Sequence, residues 1–196
     1  MISNILSGFL NRSESISNEK TKIREQIREL KKLISDVQKQ EEANNVFYKI
    51  ETLPEFKAAQ SILLYWSTPG ELPTHKIIEK WSGEKKIILP TVVGDDLVLK
   101  SYSSNGTMKQ GALGIWEPDS RENYNGTIDL VIVPGVAFDN KKNRLGRGKG
   151  FYDRFFKKNN SIKIGVGFDF QLLNEVPSTK LDIKMDKVIT ASNTIE

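Results

Sequence analysis

Between Arg144 and Asp153 the sequence reads RLGRGKGFYD. Glycines recur at Gly146, Gly148 and Gly150, interleaved with Arg147 and Lys149 and preceded by Arg144 and Leu145. Alternating glycines let successive backbone N–H groups turn to one side and let an anion approach closely. The apolar run Asp129 to Val133 (DLVIV) precedes the loop, and a short helical pattern, Phe151 to Lys158, follows it. A helix start adds free N–H groups and the positive end of its dipole. Three cationic side chains supply further charge. Together these suit a di- or triphosphate, although a solvated basic turn would use the same residues. The loop is not a P-loop, because Gly150 rather than Ser or Thr follows Lys149. The GxGxG spacing is not the dinucleotide fingerprint either.

Other residues could complete such a site. Asp153, on the first turn of the helix, can interact with the helix dipole or help to bind Mg²⁺. Tyr152 can stack on a planar ring or serve the core. The segment LDIKMD supplies Asp182 and Asp186, which either complete a cation site or are surface carboxylates. The chain has no cysteine and one histidine, His75. That excludes a disulfide framework, a thiolate metal site and a cysteine nucleophile, and argues against a histidine-based triad. His75 is read as structural.

The elements that must position these residues follow from the apolar pattern. Over 196 residues, 38% are hydrophobic and 28% charged, and the formal net charge is +4. These values fit one α/β domain with mildly basic character, suited to a polyanionic small ligand. Ile23, Ile27, Leu30, Ile34 and Val37 form a helical stripe capped by Ser15 or Ser17. Helix continues toward Ile50, with a break at Asn44-Asn45, and a short helix covers Glu55 to Ala59. Ser61 to Tyr65, Lys86 to Leu89, Leu97 to Tyr102, Asp129 to Val133, Lys163 to Phe168 and Val188 to Thr190 read as strands, the second stopping at Pro90. Thr74 to Trp81 reads as a helix, and Ser103 to Gly114 as a loop or hairpin. DLVIV is apolar on both faces, as a central parallel strand requires. The alternation predicts a parallel or mixed sheet covered by helices on both faces. Residues 17–196 are read as one domain. Residues 1–16 are read as a flexible or loosely docked extension, with a short amphipathic stripe at Ile2, Ile5, Leu6, Phe9 and Leu10. They lack the charge and cleavage pattern of a secretory signal, and the reading is cytoplasmic.

The stretch PGVAFDNKKNRLGRGKGFYDR, Pro134 to Arg154, resembles the 5-formyltetrahydrofolate cyclo-ligase family, also called 5,10-methenyltetrahydrofolate synthetase. KTKIR at Lys20 to Arg24, YWSTPGELPT at Tyr65 to Thr74, LP at Leu89-Pro90, GIWEP at Gly114 to Pro118 and the terminal GVGFDFQLLNEVPSTKLDIKMDKVIT support it in the same order. Phe151 stands where the family often has tyrosine, and Leu181 where many members have histidine. Neither departure disturbs an assigned role.

The resemblance implies a three-layer α/β sandwich with a mostly parallel central sheet, of the NagB/RpiA/CoA-transferase kind, preceded by a long N-terminal helix. It also implies ATP-dependent closure of 5-formyltetrahydrofolate, as mono- or polyglutamate, to 5,10-methenyltetrahydrofolate, with release of ADP and phosphate. The formyl oxygen would be phosphorylated and would then leave as phosphate, so the protein needs no nucleophile of its own. By the same correspondence Lys20 and Arg24 reach ATP, and Arg144, Leu145, Gly146, Arg147, Gly148, Lys149, Gly150, Phe151 and Tyr152 cradle its phosphates. Arg147 to Phe151 also border the folate, with Trp66, Glu71 and Trp116. Lys149 and Arg147 stabilise the transferring phosphoryl group, and Asp153 and Asp182 hold Mg²⁺. The expected protein is a monomer without nucleic-acid or membrane partners. Competing readings are an RNA-binding module, a sugar-phosphate isomerase or acyl-CoA transferase on the same architecture, and a folate-binding relative without catalysis.

Overall fold

Alternation along very short strands sets the layers. The computed structural model describes residues 2–111 and 114–196, with side chains from residue 14 onward. In chain order the helices are α1 (Ile2–Leu33), α2 (Asp36–Thr52), α3 (Pro54–Ala58), α4 (His75–Ser82) and α5 (Phe151–Lys158). The strands are β1 (Ser61–Leu63), β2 (Lys86–Val93), β3 (Asp96–Ser101), β4 (Met108–Gln110), β5 (Trp116–Pro118), β6 (Leu130–Pro134), β7 (Ala137–Asp139), β8 (Arg144–Leu145), β9 (Ile162–Val166), β10 (Leu172–Leu173), β11 (Lys187–Ile189) and β12 (Thr194–Ile195).

A seven-stranded sheet has the order β12-β11-β9-β6-β1-β2-β3. Strands β2, β1, β6, β9 and β11 run parallel, and the edge strands β3 and β12 are antiparallel. Ile62, Ile87, Leu89, Leu130, Ile132 and Ile164 face α2, α3 and α4. Leu63, Ile88, Val131, Val133 and Val188 face α5 on the other side. Helices therefore cover both faces, as the sequence predicts. A smaller sheet, β10-β7-β8, receives α1, whose Ile23 and Ile27 pack on Ala137, Leu145 and Val176. Among the described residues no helix is long and apolar enough to cross a membrane.

Three local expectations change. Neither Ser15 nor Ser17 caps a helix, because α1 runs unbroken from Ile2, and the Ser17 carbonyl accepts from the Thr21 hydroxyl inside it (3.0 Å). The side chains of Ile2, Ile5, Leu6, Phe9 and Leu10 lie outside the described residues. The break between helices falls at Ser35, not at Asn44-Asn45. The Ser35 Oγ accepts from the Gln38 N–H (3.2 Å), and the Gln38 Oε1 accepts from the Ser35 N–H (3.0 Å). This capping box starts a new helix and turns the stripe, leaving Leu30 and Val37 exposed. Finally, β2 passes through Pro90. Ile88 turns its carbonyl toward Leu64 on the β1 side, so Pro90, two residues on, faces the same way, beyond the end of β1. No ladder partner is lost there, and the pairing of Pro90 with Leu99 survives.

Candidate active site

In a parallel sheet a cleft opens where neighbouring strands lead their connections in opposite directions. Here that point lies between β1, whose next parallel neighbour in sequence is β2, and β6, which leads on to β9 on the other side. Tyr65 and Trp66, just past β1, and Pro134, Gly135 and Val136, at the end of β6, line a cavity of about 500 Å³. Lys20, Arg24 and Lys31 from α1, Glu71, the segment Arg144 to Asp153, Thr179 and Asp182 complete it.

One wall is the glycine-rich loop. Asp139, fully buried, fixes the approach to it. Its carboxylate accepts from the Lys141 and Asn143 N–H groups (both 2.9 Å), the Asn143 side-chain amide (2.8 Å) and the Val176 N–H (2.9 Å). Gln171, also buried, donates to the carbonyls of Gly135 and Val136 (2.9 and 2.8 Å). Gly148 and Gly150 have φ of 98° and 68°, which only glycine adopts without strain. Among the described residues the backbone N–H groups of Gly146 through Gly150 meet no protein acceptor, and no side chain caps α5. The wall therefore presents donors and a helix N-terminus to the cavity, as an anion cradle must.

The cations divide into held and unheld. Arg144 is buried, donates to Asp153 Oδ2 (3.0 Å) and lies 5.4 Å from the Tyr152 ring centroid. Asp153 Oδ1 accepts from the Ile183 N–H (3.0 Å). Lys20 donates to both oxygens of Asp182 (2.8 and 2.6 Å). Burial works against ionising Asp182, but Lys20 and the two Thr179 donors outweigh it, and its pKa lies below the ordinary value. Arg24 Nε donates to the Gly146 carbonyl (3.0 Å), tying α1 to the loop. Arg147 reaches across to Glu71 Oε1 (2.9 Å) and donates to Thr68 Oγ1 (2.6 Å). Lys149 is exposed and makes no ion pair among the described residues.

The opposite wall is the turn after β1. Ser67 and Thr74 exchange hydrogen bonds (3.0 and 3.1 Å), Thr74 Oγ1 donates to the Tyr65 carbonyl (2.7 Å), and Tyr65 donates to the Leu72 carbonyl (2.9 Å). This cross-bracing presents Glu71, which also accepts from the Thr68 N–H and hydroxyl (2.9 and 3.0 Å). Trp66 stacks on His75 at 4.2 Å, and His75 Nε2 contacts the Ser67 carbonyl (3.1 Å). Burial lowers the His75 pKa, with the Ser67 contact opposing.

The structure thus brings together Lys20, Arg24, Trp66, Glu71, Arg144 to Asp153 and Asp182 around one cavity. Leu145 contributes backbone only, since its side chain belongs to the core. Trp116 is half exposed, and its neighbours Ile115 and Glu117 line the cavity instead. Asp186 lies elsewhere, accepting from the Lys163 N–H (2.7 Å). Sequence reasoning missed Lys31, Thr68, Thr179, Asp139 and Gln171. Lys31 had a signal, since it follows Arg24 by two helical turns. Among the described residues no group of three metal-ligating side chains forms, so Asp153 and Asp182 suit only an ion whose remaining ligands come with a phosphate substrate.

Residues 16–191 match the family model described as the 5-formyltetrahydrofolate cyclo-ligase family. The chain is 30% identical over 185 residues to the 5-formyltetrahydrofolate cyclo-ligase of Haemophilus influenzae, covering 88% of this chain and 98% of that one. It is 31% identical over 180 residues to the Escherichia coli K12 enzyme of the same name, covering 87% and 99%. The solved structure of Aquifex aeolicus 5,10-methenyltetrahydrofolate synthetase superposes with a TM-score of 0.81 at 34% identity, covering 89% of this chain and 91% of that one. With the family model, the relatives and the fold in agreement over nearly the whole chain, this protein belongs to the 5-formyltetrahydrofolate cyclo-ligase family.

Proposed function

We propose that the protein uses ATP to close 5-formyltetrahydrofolate to 5,10-methenyltetrahydrofolate, releasing ADP and phosphate. The observation that supports this best is the juxtaposition, in one cavity, of a donor-lined glycine loop and a braced carboxylate, Glu71. The first suits a polyphosphate. The second suits the amino-pyrimidine edge of a pterin, where one carboxylate accepts two hydrogen bonds.

The N-5 formyl group is a resonance-stabilised amide whose oxygen cannot leave as hydroxide. On this reading that oxygen attacks the γ-phosphorus and the bond to ADP breaks. The resulting imidate phosphate is then attacked at its carbon by N-10, the carbon–oxygen bond breaks so that phosphate leaves, and the N-10 proton is lost with it. Substrate supplies both nucleophiles, so the protein's work is positioning and charge neutralisation. Lys20 and Arg24 orient the nucleotide. The Gly146 to Gly150 N–H groups hold the phosphates. Lys149 and Arg147 offset charge on the transferring group, and the cavity walls exclude water. Asp153 and Asp182 would hold Mg²⁺, which when bound offsets phosphate charge. Trp66 packs against the pterin.

The test mixes the protein with 5-formyltetrahydrofolate, with and without MgATP, and follows the near-ultraviolet absorbance of the methenyl product. An ATP-dependent rise matched one-to-one by ADP is the expected result. No rise, from folded protein that still binds ATP, would overturn the reading of the substrate.

A further inference from the structure

The reaction above gives no role to Lys31, a cation that lines the cavity. Lys31 lies on α1, seven residues past Arg24 on the face that meets the cleft. Its stem runs beside Gly70, where a methyl group would sit 3.6 Å from Lys31 Cδ. Gly70 adjoins Glu71 in sequence, so the lysine stem runs to the turn that carries Glu71, and its charge acts on both Glu71 and Arg147. Lys31 makes no ion pair or hydrogen bond among the described residues. Glu71 already has Arg147 on Oε1 and Thr68 on Oε2. Burial lowers the pKa of Lys31 and Arg147 lowers it further, while Glu71 raises it.

Once a ligand displaces Arg147, the carboxylate of Glu71 and the unused donors of Lys31 on the same cavity wall can offer a pattern of two acceptors and a donor. The 2-amino-4-oxo edge of a pterin is its complement. The 2-amino group and N3–H donate, and the adjoining O4 accepts. We propose that Lys31 donates to O4 of the pterin and, with Glu71, selects 4-oxo over 4-amino pteridines. This rests on the assignment of Glu71 to the pterin. Lys31 touches no reacting atom, so it is a specificity residue and its loss should act on KM. In a 4-amino analogue the exocyclic group is a donor and faces the lysine unfavourably, so removing the lysine relieves that contact.

The test compares 5-formyltetrahydrofolate with its 4-amino counterpart, 5-formyltetrahydroaminopterin, on the wild type, Lys31→Met and Lys31→Arg. Methionine preserves the packing against Gly70, and thermal melts establish folding. For Lys31→Met the KM for the 4-oxo substrate should rise on the order of 10- to 100-fold, with kcat within about twofold because the bond is made equally in ground and transition states. Affinity for the 4-amino analogue should stay level or improve, and Lys31→Arg should recover most of the lost 4-oxo affinity. A 4-oxo KM unchanged in Lys31→Met, a parallel loss for both pteridines, or an arginine variant no better than methionine would each overturn the proposal. Wild-type protein that binds ADP but neither pteridine would instead overturn the assignment of the cavity to folate, and the proposal with it.

Discussion

Arg147 Nη2 lies 2.9 Å from Glu71 Oε1, bridging the phosphate loop and the turn that follows β1. The carboxylate proposed for the pterin is thus occupied by a cation proposed for the transferring phosphoryl group. On that proposal a pterin arriving at Glu71 would displace Arg147 and make it available to the γ-phosphate. The two substrates should therefore assist one another. A non-hydrolysable ATP analogue should bind about 5- to 10-fold more tightly in the presence of 5-formyltetrahydrofolate, a modest coupling free energy. Arg147→Ala should abolish this difference, as titration calorimetry with and without the folate would show.

Lys149→Ala should leave the fold intact and lower kcat about 100-fold, the usual loss for one donor to a developing charge. Lys149 is exposed and carries no internal ion pair among the described residues, so its removal should not shift the melting temperature. Wild-type turnover in this variant would remove Lys149 from the mechanism.

Asp153→Asn should cost stability as well as function. Its partner Arg144 has a side chain only 5% exposed, and an uncompensated buried guanidinium is expensive. The expected loss is about 2 kcal/mol by denaturant titration. Activity should also need more Mg²⁺. An unchanged Mg²⁺ titration would count against the metal assignment.

Acid should weaken the contact between α1 and the segment carrying Asp182. Because the folded pKa of Asp182 lies below the unfolded value of about 3.9, its stabilising contribution is complete above that value. It is lost as pH falls through the folded pKa. In Lys20→Met the burial of Asp182 is opposed by Thr179 alone, so the acid fall in melting temperature should begin at higher pH. Melts across the pH range for both proteins check this.

Tyr152 buries a hydroxyl that finds no partner among the described residues, with its pKa raised by burial and by Glu71 against the opposing Arg144 and Arg147. It therefore remains a donor at any working pH. Tyr152→Phe should leave the ligand-free protein as stable or up to about 1 kcal/mol more stable. It should raise KM for ATP several-fold if the hydroxyl donates to a bound phosphate. An unaltered KM would make the ring a packing element only.

Much of this architecture is legible in residue order. DLVIV announces a strand buried on both sides, and the glycine spacing announces the cradle, because both depend on neighbours in sequence. Pro90 misleads because a proline ends a strand only when its missing N–H had a partner, and that depends on where β1 stops. The helix break misleads because the capping box SDVQ at Ser35 to Gln38, present in the sequence, outweighs the paired asparagines, which α2 accommodates. Gln171 was hidden for a different reason: it serves carbonyls of a segment that only the tertiary fold brings near, and no spacing rule encodes that. Asp139 was half legible, since its bonds to Lys141 and Asn143 are a local turn and only the one to Val176 needs the tertiary fold. Trp116 shows the limit at one-residue resolution, since strand alternation turns it outward and its neighbours inward.

The Lys20–Asp182 contact joins residues 162 positions apart. A ribosome adding roughly 5–20 residues per second releases the second partner about 10–30 s after the first. Through that interval Lys20 has no carboxylate to meet, while the later-made β6, the loop carbonyl of Gly146 that receives Arg24, and β9 are completed before Asp182 appears. The tie between α1 and the segment carrying Asp182 is therefore the last of the described cavity contacts to form as the chain is made.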